Sequence, residues 1–233
     1  MDVDFLFQLI AANQGGGGGP SFVGAAVLGA EAIPETVSID LSSSVPGIQS
    51  GDVIVACFMS DSERSPNLTY TTGSGFVGEP ADIFPPRTSD AALAAKIWSY
   101  SSSTPQFGFT TRDGPSTLSV VWIFCVYRGV SAIGPRTSVE ATGSSGMPDP
   151  GSLSGISASS IVLAIGGLDD DGVSVTPQAG FSLATSAIVS TGSPATVMLS
   201  HQLLPAAGTI NPGAFIGSGD DTWAAYTVEL LAP

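Results

Sequence analysis

Histidine occurs once in this 233-residue chain, cysteine twice, and lysine plus arginine only six times. Each shortage removes a class of function. Against 20 acids the six bases leave a formal net charge of −14. A nucleic-acid surface neutralises phosphates with lysine and arginine, so that role is excluded, and an anionic membrane would repel the chain. A zinc site needs four nitrogen or sulfur ligands in most cases, which one histidine and two separated cysteines do not supply. Cys57 and Cys125 each stand within an apolar run, Val-Ala-Cys-Phe and Ile-Phe-Cys-Val. Buried free thiols are therefore expected, with a disulfide between two core strands as the alternative. No apolar run reaches the ~18 residues that span a bilayer, so membrane insertion is not expected. The N-terminus carries Asp2 and Asp4 where a secretory signal needs bases, which points to synthesis in a cytoplasm.

Catalytic constellations are equally scarce. His201 shares strand phase with Val197, Leu199 and Leu203. It reads as an inward-facing structural histidine rather than a general base. The nucleophile elbow Gly-x-Ser-x-Gly is missing, since Gly151-Ser-Leu-Ser-Gly155 has Leu153 at the nucleophile position. Gly73-Ser-Gly-Phe-Val-Gly78 matches a dinucleotide fingerprint by letter, but Glu79-Pro80 follows it instead of a helix. Two acidic stretches, Asp169-Asp170-Asp171-Gly172 and Asp220-Asp221, offer oxygen ligands of the kind calcium prefers. No EF-hand spacing accompanies them, because the twelfth position counted from Asp170 is Phe181. Solvated acidic turns are the expectation, and no metal, no cofactor and no enzymatic activity are expected.

What the chain does contain is strand-forming sequence. Apolar, β-branched segments at 22–28, 36–41, 53–59, 92–100, 107–111, 118–127, 161–168, 181–188, 195–203 and 223–231 alternate with turn clusters such as Ser-Val-Pro-Gly at 44–47. Runs like Val53-Ile54-Val55-Ala56 and Val120-Val121-Trp122-Ile123-Phe124 are apolar at odd and even positions alike. A strand covered on both faces has that composition. The pattern predicts an all-β fold, an antiparallel, jelly-roll-like β-sandwich over 21–233. Two pseudo-repeats, about 51–130 and 159–233, suggest themselves. Asp52-Val-Ile-Val-Ala resembles Ser160-Ile-Val-Leu-Ala, Gly75-Phe76 resembles Gly180-Phe181, and Trp122 resembles Trp223.

The N-terminus is unlike the rest. Residues 1–14 form a short apolar peptide, and Gly15, Gly16, Gly17, Gly18 and Gly19 followed by Pro20 form a linker over 15–20. Phe5, Leu6, Phe7, Leu9 and Ile10 would lie on or beside one stripe of a helix too short to be stable alone. A greasy peptide on a flexible glycine tether is expected to dock onto a partner, with folding back onto its own domain as the alternative.

Several body segments carry a resemblance. Gly51-Asp-Val-Ile-Val-Ala56, Ala95-Lys-Ile-Trp98, Val126-Tyr-Arg-Gly-Val130 and the closing Trp223-Ala-Ala-Tyr-Thr-Val-Glu-Leu230 come in an order and spacing similar to a domain of phage appendages. The body thus resembles β-sandwich domains of the tail-fibre, head-fibre and related proteins of tailed bacteriophages and phage-like particles. That resemblance implies a structural or adhesive role without catalytic residues. It implies location in a virion, other virion structural proteins (portal, tail or capsid) as partners, and assembly as a homo-oligomer. Contact with host surface polysaccharide is a further implication. A carbohydrate-binding module using the acidic loops is the second expectation and a hydrolase the third.

Overall fold

A computed structural model of the chain describes residues 19–30, 37–61, 69–72, 77–83, 91–100, 106–110, 120–141, 146–169, 174–190, 194–219 and 221–233. Strands dominate them. In chain order these are β1 (Ser21–Ala30), β2 (Val37–Asp40), β3 (Val53–Asp61), β4 (Thr69–Thr72), β5 (Val77–Ile83), β6 (Ala91–Ser99), β7 (Gln106–Thr110) and β8 (Val120–Arg128). Then follow β9 (Ala132–Ala141), β10 (Leu153–Ile156), β11 (Ser160–Leu168), β12 (Ser182–Val189), β13 (Ala195–Leu204), β14 (Gly208–Ile210) and β15 (Trp223–Leu231). One helical turn, α1 (Leu41–Ser44), follows β2. Asp40 caps it, accepting from the Ser42 backbone N–H at 2.9 Å and the Ser42 hydroxyl at 2.7 Å. The Ser42 hydroxyl bond is also the main reason the Asp40 carboxyl stays below its usual pKa.

All ten segments expected from composition are strands. The short or interrupted ones, β4, β5, β9, β10 and β14, were not legible. β5 contains Gly78 and Pro80, and β9 contains Gly134 and Pro135. Both are edge strands, where a missing N–H or side chain is tolerated.

Two five-stranded antiparallel sheets form the body, in the orders β1-β8-β3-β6-β5 and β9-β15-β11-β13-β12. Within each half of the chain the strand roles follow the same succession, and the small sheets repeat it. β2 pairs with β7, flanked by β4, while β10 pairs with β14. The register sets Trp122 opposite Phe58 and Trp223 opposite Leu168. Carrying the offset of 108 from Asp52 to Ser160 across the ladder places Ala225, not Trp223, at the position of Trp122. The slip is two residues, so both tryptophans still lie on the outer face of their sheets.

The doubly apolar runs are explained by layering. Val53, Val55, Cys57 and Met59 of β3 point into a central cluster with Ile161, Leu163 and Ile165 of β11. Ile54, Ala56 and Phe58 point the other way, against Ile39, Leu41 and Val45. On β11, Val162, Ala164 and Leu168 meet Leu153, Ile156 and Phe215 on the far side. The two large sheets thus stack face to face, each with its own outer cover. β13 lies over β3 and β8, and reciprocally β6 lies against β11 and β15. The seam is heaviest where β12 lies against β1 and β8, which has no counterpart of similar weight at β5 among the described residues. Between the sheets, the Tyr226 hydroxyl donates to the Leu93 carbonyl at 3.0 Å, a buried polar cross-link.

Every outer strand of the large sheets is bulged or irregular: β1 between Phe22 and Gly24, β12 between Leu183 and Thr185, β5 between Val77 and Ala81, and β9 opposite Val228/Leu230. Bulged edges discourage strand addition by another chain.

Candidate functional site

The strand ends sort into two poles. At the first pole, Gly51 donates to the Tyr100 carbonyl at 2.7 Å, Ser131 to Leu231 at 2.9 Å and Ser159 to Leu204 at 2.8 Å. Gly19 is packed here: a Cβ on it would stand 3.5 Å from the Ser159 carbonyl, and a Cβ on Gly129 would stand 3.2 Å from the Gly19 carbonyl. The last residue of the glycine run is therefore seated against the body, and Pro20 beside it is buried. Phe5, Leu6, Phe7, Leu9, Ile10 and Gly15 to Gly18 lie outside the described residues.

Two buried carboxylates, Asp52 and Glu229, stand at this pole, and the first is paired with a cation. Asp52, 2% exposed, takes a bidentate grip from Arg128: Nε donates to Oδ1 and Nη2 to Oδ2, both at 2.8 Å. Arg128 Nη2 also donates to the Gly47 carbonyl, and the Gln49 N–H donates to Asp52 Oδ2. The pairing raises the guanidinium pKa further, the hydrogen bond to Asp52 being the main cause. Glu229 is fully buried; its Oε1 accepts from the Ser157 N–H at 2.6 Å, while Oε2 has no hydrogen-bond partner among the described residues. A Cβ on Gly134 would come within 2.6 Å of that Oε2, so glycine leaves the room this carboxyl occupies.

His201 stands at the same end of the sandwich, between the two large sheets. Its Nδ1 is 3.3 Å from the Tyr127 hydroxyl, and its ring lies 5.1 Å from the Phe22 ring and 5.7 Å, edge-on, from that of Tyr127. Burial lowers its pKa to about 4. The ring is packed on aromatic neighbours from β1 and β8 and is partly exposed. The inward phase read from sequence holds for His201 but ends there, since Leu203 is 56% exposed.

At the opposite pole lie the far ends of the long strands. Ala30 pairs with Val120, Asp61 with Ala91, and Leu168 with Trp223, which in turn pairs with Ala141. The connections 31–36, 62–68, 84–90 and 111–119 of the first half join strand ends at this pole. The same holds for 142–152, 190–194 and 211–222 of the second half, while 169–181 starts here but leads to Ser182, which pairs with His201 at the first pole. In sequence they hold much of the acidic charge, including Glu31, Glu35, Glu63 and both acidic stretches, with Asp61 at a strand end beside them. Pairing of β11 with β15 brings one residue of each stretch close: the Asp169 N–H donates to the Thr222 carbonyl at 2.9 Å, and Asp221, exposed, accepts from the Thr222 N–H at 2.7 Å. Asp170, Asp171 and Asp220 lie outside the described residues.

Among the described residues no three histidine, cysteine, aspartate or glutamate side chains converge as a metal centre would require. Cys57 and Cys125 are free and buried in the central cluster, and burial raises both thiol pKa values. That environment disfavours thiolates. Trp122 and Trp223 are buried at 2% and 6% exposure and so are not platforms for a sugar ring. What the arrangement offers is a polarity: a chain-entry pole holding Gly19 and the Asp52/Arg128 pair, and a pole holding Asp169 and Asp221, about nine residues of strand or ~30 Å away. Sequence reasoning missed this, because which strand ends coincide depends on pairings between residues as distant as Asp61 and Ala91. Comparison with protein-family models, curated proteins and solved structures finds no match.

Proposed function

We propose that this chain is a non-enzymatic virion structural protein, a compact fibre- or spike-like appendage. Its N-terminal peptide anchors it to portal, tail or capsid partners, and its far pole faces the host surface. One observation supports this reading above the others: Gly19 and the start of β1 sit at the pole opposite the long connections. A body tethered at one end presents the other end outward. Binding surfaces concentrate in connections held by a rigid scaffold, and here seven of them join strand ends at one pole. Phe5, Leu6, Phe7, Leu9 and Ile10 supply the docking contacts, each contributing about 1.5–3 kcal/mol when buried, before ordering costs are subtracted. Removing residues 1–18 is expected to abolish incorporation into particles while leaving thermal unfolding of the body within a few degrees of the full chain. Normal incorporation of the truncated chain would remove the anchor from the mechanism.

A second reading, calcium-assisted recognition of a surface glycan, draws on the closeness of Asp169 to Thr222 and Asp221 at the outer pole. It is compatible with an adhesive appendage. Binding of host polysaccharide should then disappear with chelator and with Asp169→Asn plus Asp221→Asn together. Binding that survives both changes would leave calcium without a role.

A further inference from the structure

The one histidine of the chain lies where the two halves meet and where the tether joins the body. Phe22, the second residue of β1 and two positions after Pro20, packs on His201 from the opposite sheet. Tyr127, the ladder partner of Phe22 on β8, meets the same imidazole through its hydroxyl. We infer that His201 is an acid-sensitive latch: neutral, it locks β13 onto β1 and β8; protonated, it loosens the seam between the two large sheets at the tether end. Such a latch would operate whether or not the chain is part of a virion.

The surroundings of the ring supply the physical reason. Phe22 faces it from β1 and Tyr127 from β8, with Cys125 two residues further in on the same face. Its ladder neighbours are Leu163 on β11 and Ser182 on β12. Of these groups and Cys57 in the same cluster, only Tyr127 and the two thiols titrate, and burial raises the pKa of all three. None becomes an anion in acid. Arg128, next to Tyr127 in the chain, is a cation already bound to Asp52. An imidazolium formed here therefore gains no carboxylate partner from these neighbours. The neutral ring can accept the Tyr127 proton at Nδ1; the charged ring carries protons on both nitrogens, and the phenol must turn to accept instead. The face of Phe22 returns part of the lost solvation but not all of it.

The sign follows from linkage. An exposed histidine titrates near 6.5 and His201 in the closed seam at about 4. Between those values the open form binds more protons, so closure is fully favoured above about pH 6.5 and weakens as pH falls toward 4. The opening constant should rise about tenfold from pH 7.5 to 5.5 and about seventyfold by pH 4.5.

Cys57 and Cys125 line the same cluster and report on it. The experiment measures their reaction with a pyridyl disulfide in the full chain at pH 7.5, 5.5 and 4.5, each rate divided by that of the unfolded chain at the same pH. The wild-type ratio should climb by the factors above. His201→Gln keeps a hydrogen-bonding side chain for Tyr127 without a titrating group, and its ratio should stay within about twofold; His201→Phe, which fills the site with carbon, should behave alike. A flat wild-type profile overturns the latch. So does a rise in both variants that parallels wild type, which would assign the acid response to carboxylates instead.

Discussion

Arg128→Leu should destabilise the chain by about 3 kcal/mol, at the lower end of what stranding a buried charge costs. Asp52 is 2% exposed and its carboxyl would be left with only the Gln49 N–H to hold it. The reverse deletion is milder. In Asp52→Ser the guanidinium left behind is 36% exposed and can turn toward water, so about 1–2 kcal/mol is expected. The second sheet shows an uncharged solution at the same register. Val53 opposes Tyr127 just inside the Asp52/Arg128 pair, as Ile161 opposes Leu230 just inside Ser160 and Leu231. Ser160 there satisfies its hydroxyl by donating to the Ser157 carbonyl at 2.8 Å. Grafting that pair as Asp52→Ser with Arg128→Leu should recover most of the loss and fall within about 1 kcal/mol of wild type, since no charge is then stranded. Urea midpoints at unchanged m-value measure all three. If Asp52→Ser costs more than Arg128→Leu, burial of the carboxylate is not what dominates this pair.

Gly166→Val is expected to cost about 2 kcal/mol net, despite replacing a poor strand residue with a good one. Strand propensity favours valine by at most ~1 kcal/mol. Against that, a Cβ at 166 would stand 2.8 Å from the Pro148 Cβ, 3.0 Å from the Phe215 ring and 3.2 Å from Met198 Cγ. Pro148 and Phe215 are stiff, and overpacking of this kind costs about 1–3 kcal/mol or more. Gly167, on the other face, would meet Met59 Sδ at 2.6 Å and Leu93 Cδ1 at 2.9 Å. Methionine yields more readily, so Gly167→Ala should cost less than Gly166→Val. Gly208→Val is the control: it lies in β14 with nothing within 4 Å of a Cβ, and a change within about 0.5 kcal/mol is expected. Equal losses at Gly166 and Gly208 would mean that close layer packing is not the reason for glycine at 166.

Local sequence encodes the strands but not these close approaches. Val53-Ile54-Val55-Ala56 announces a strand covered on both faces because side chains alternate across any strand, whatever the fold around it. The all-β class, the ten strands read from composition, the buried thiols and the inward histidine all rest on such local alternation. Gly134-Pro135 in β9 and Gly78 with Pro80 in β5 hide their strands for the complementary reason, since edge pairing tolerates residues that local preference rejects.

Composition and periodicity by themselves determined that this is an acidic, all-β chain with doubly buried strands and an N-terminal sequence unlike the rest, apolar and then glycine-rich. Only the tertiary structure decided that Asp169 and Asp221 share a pole, that Gly19 sits at the other, and that His201 meets Phe22 and Tyr127 across the seam. Alternation within a strand is a property of a few consecutive residues. Which ends and faces coincide is set by pairings and layer contacts between residues far apart in the chain, and no local pattern encodes those.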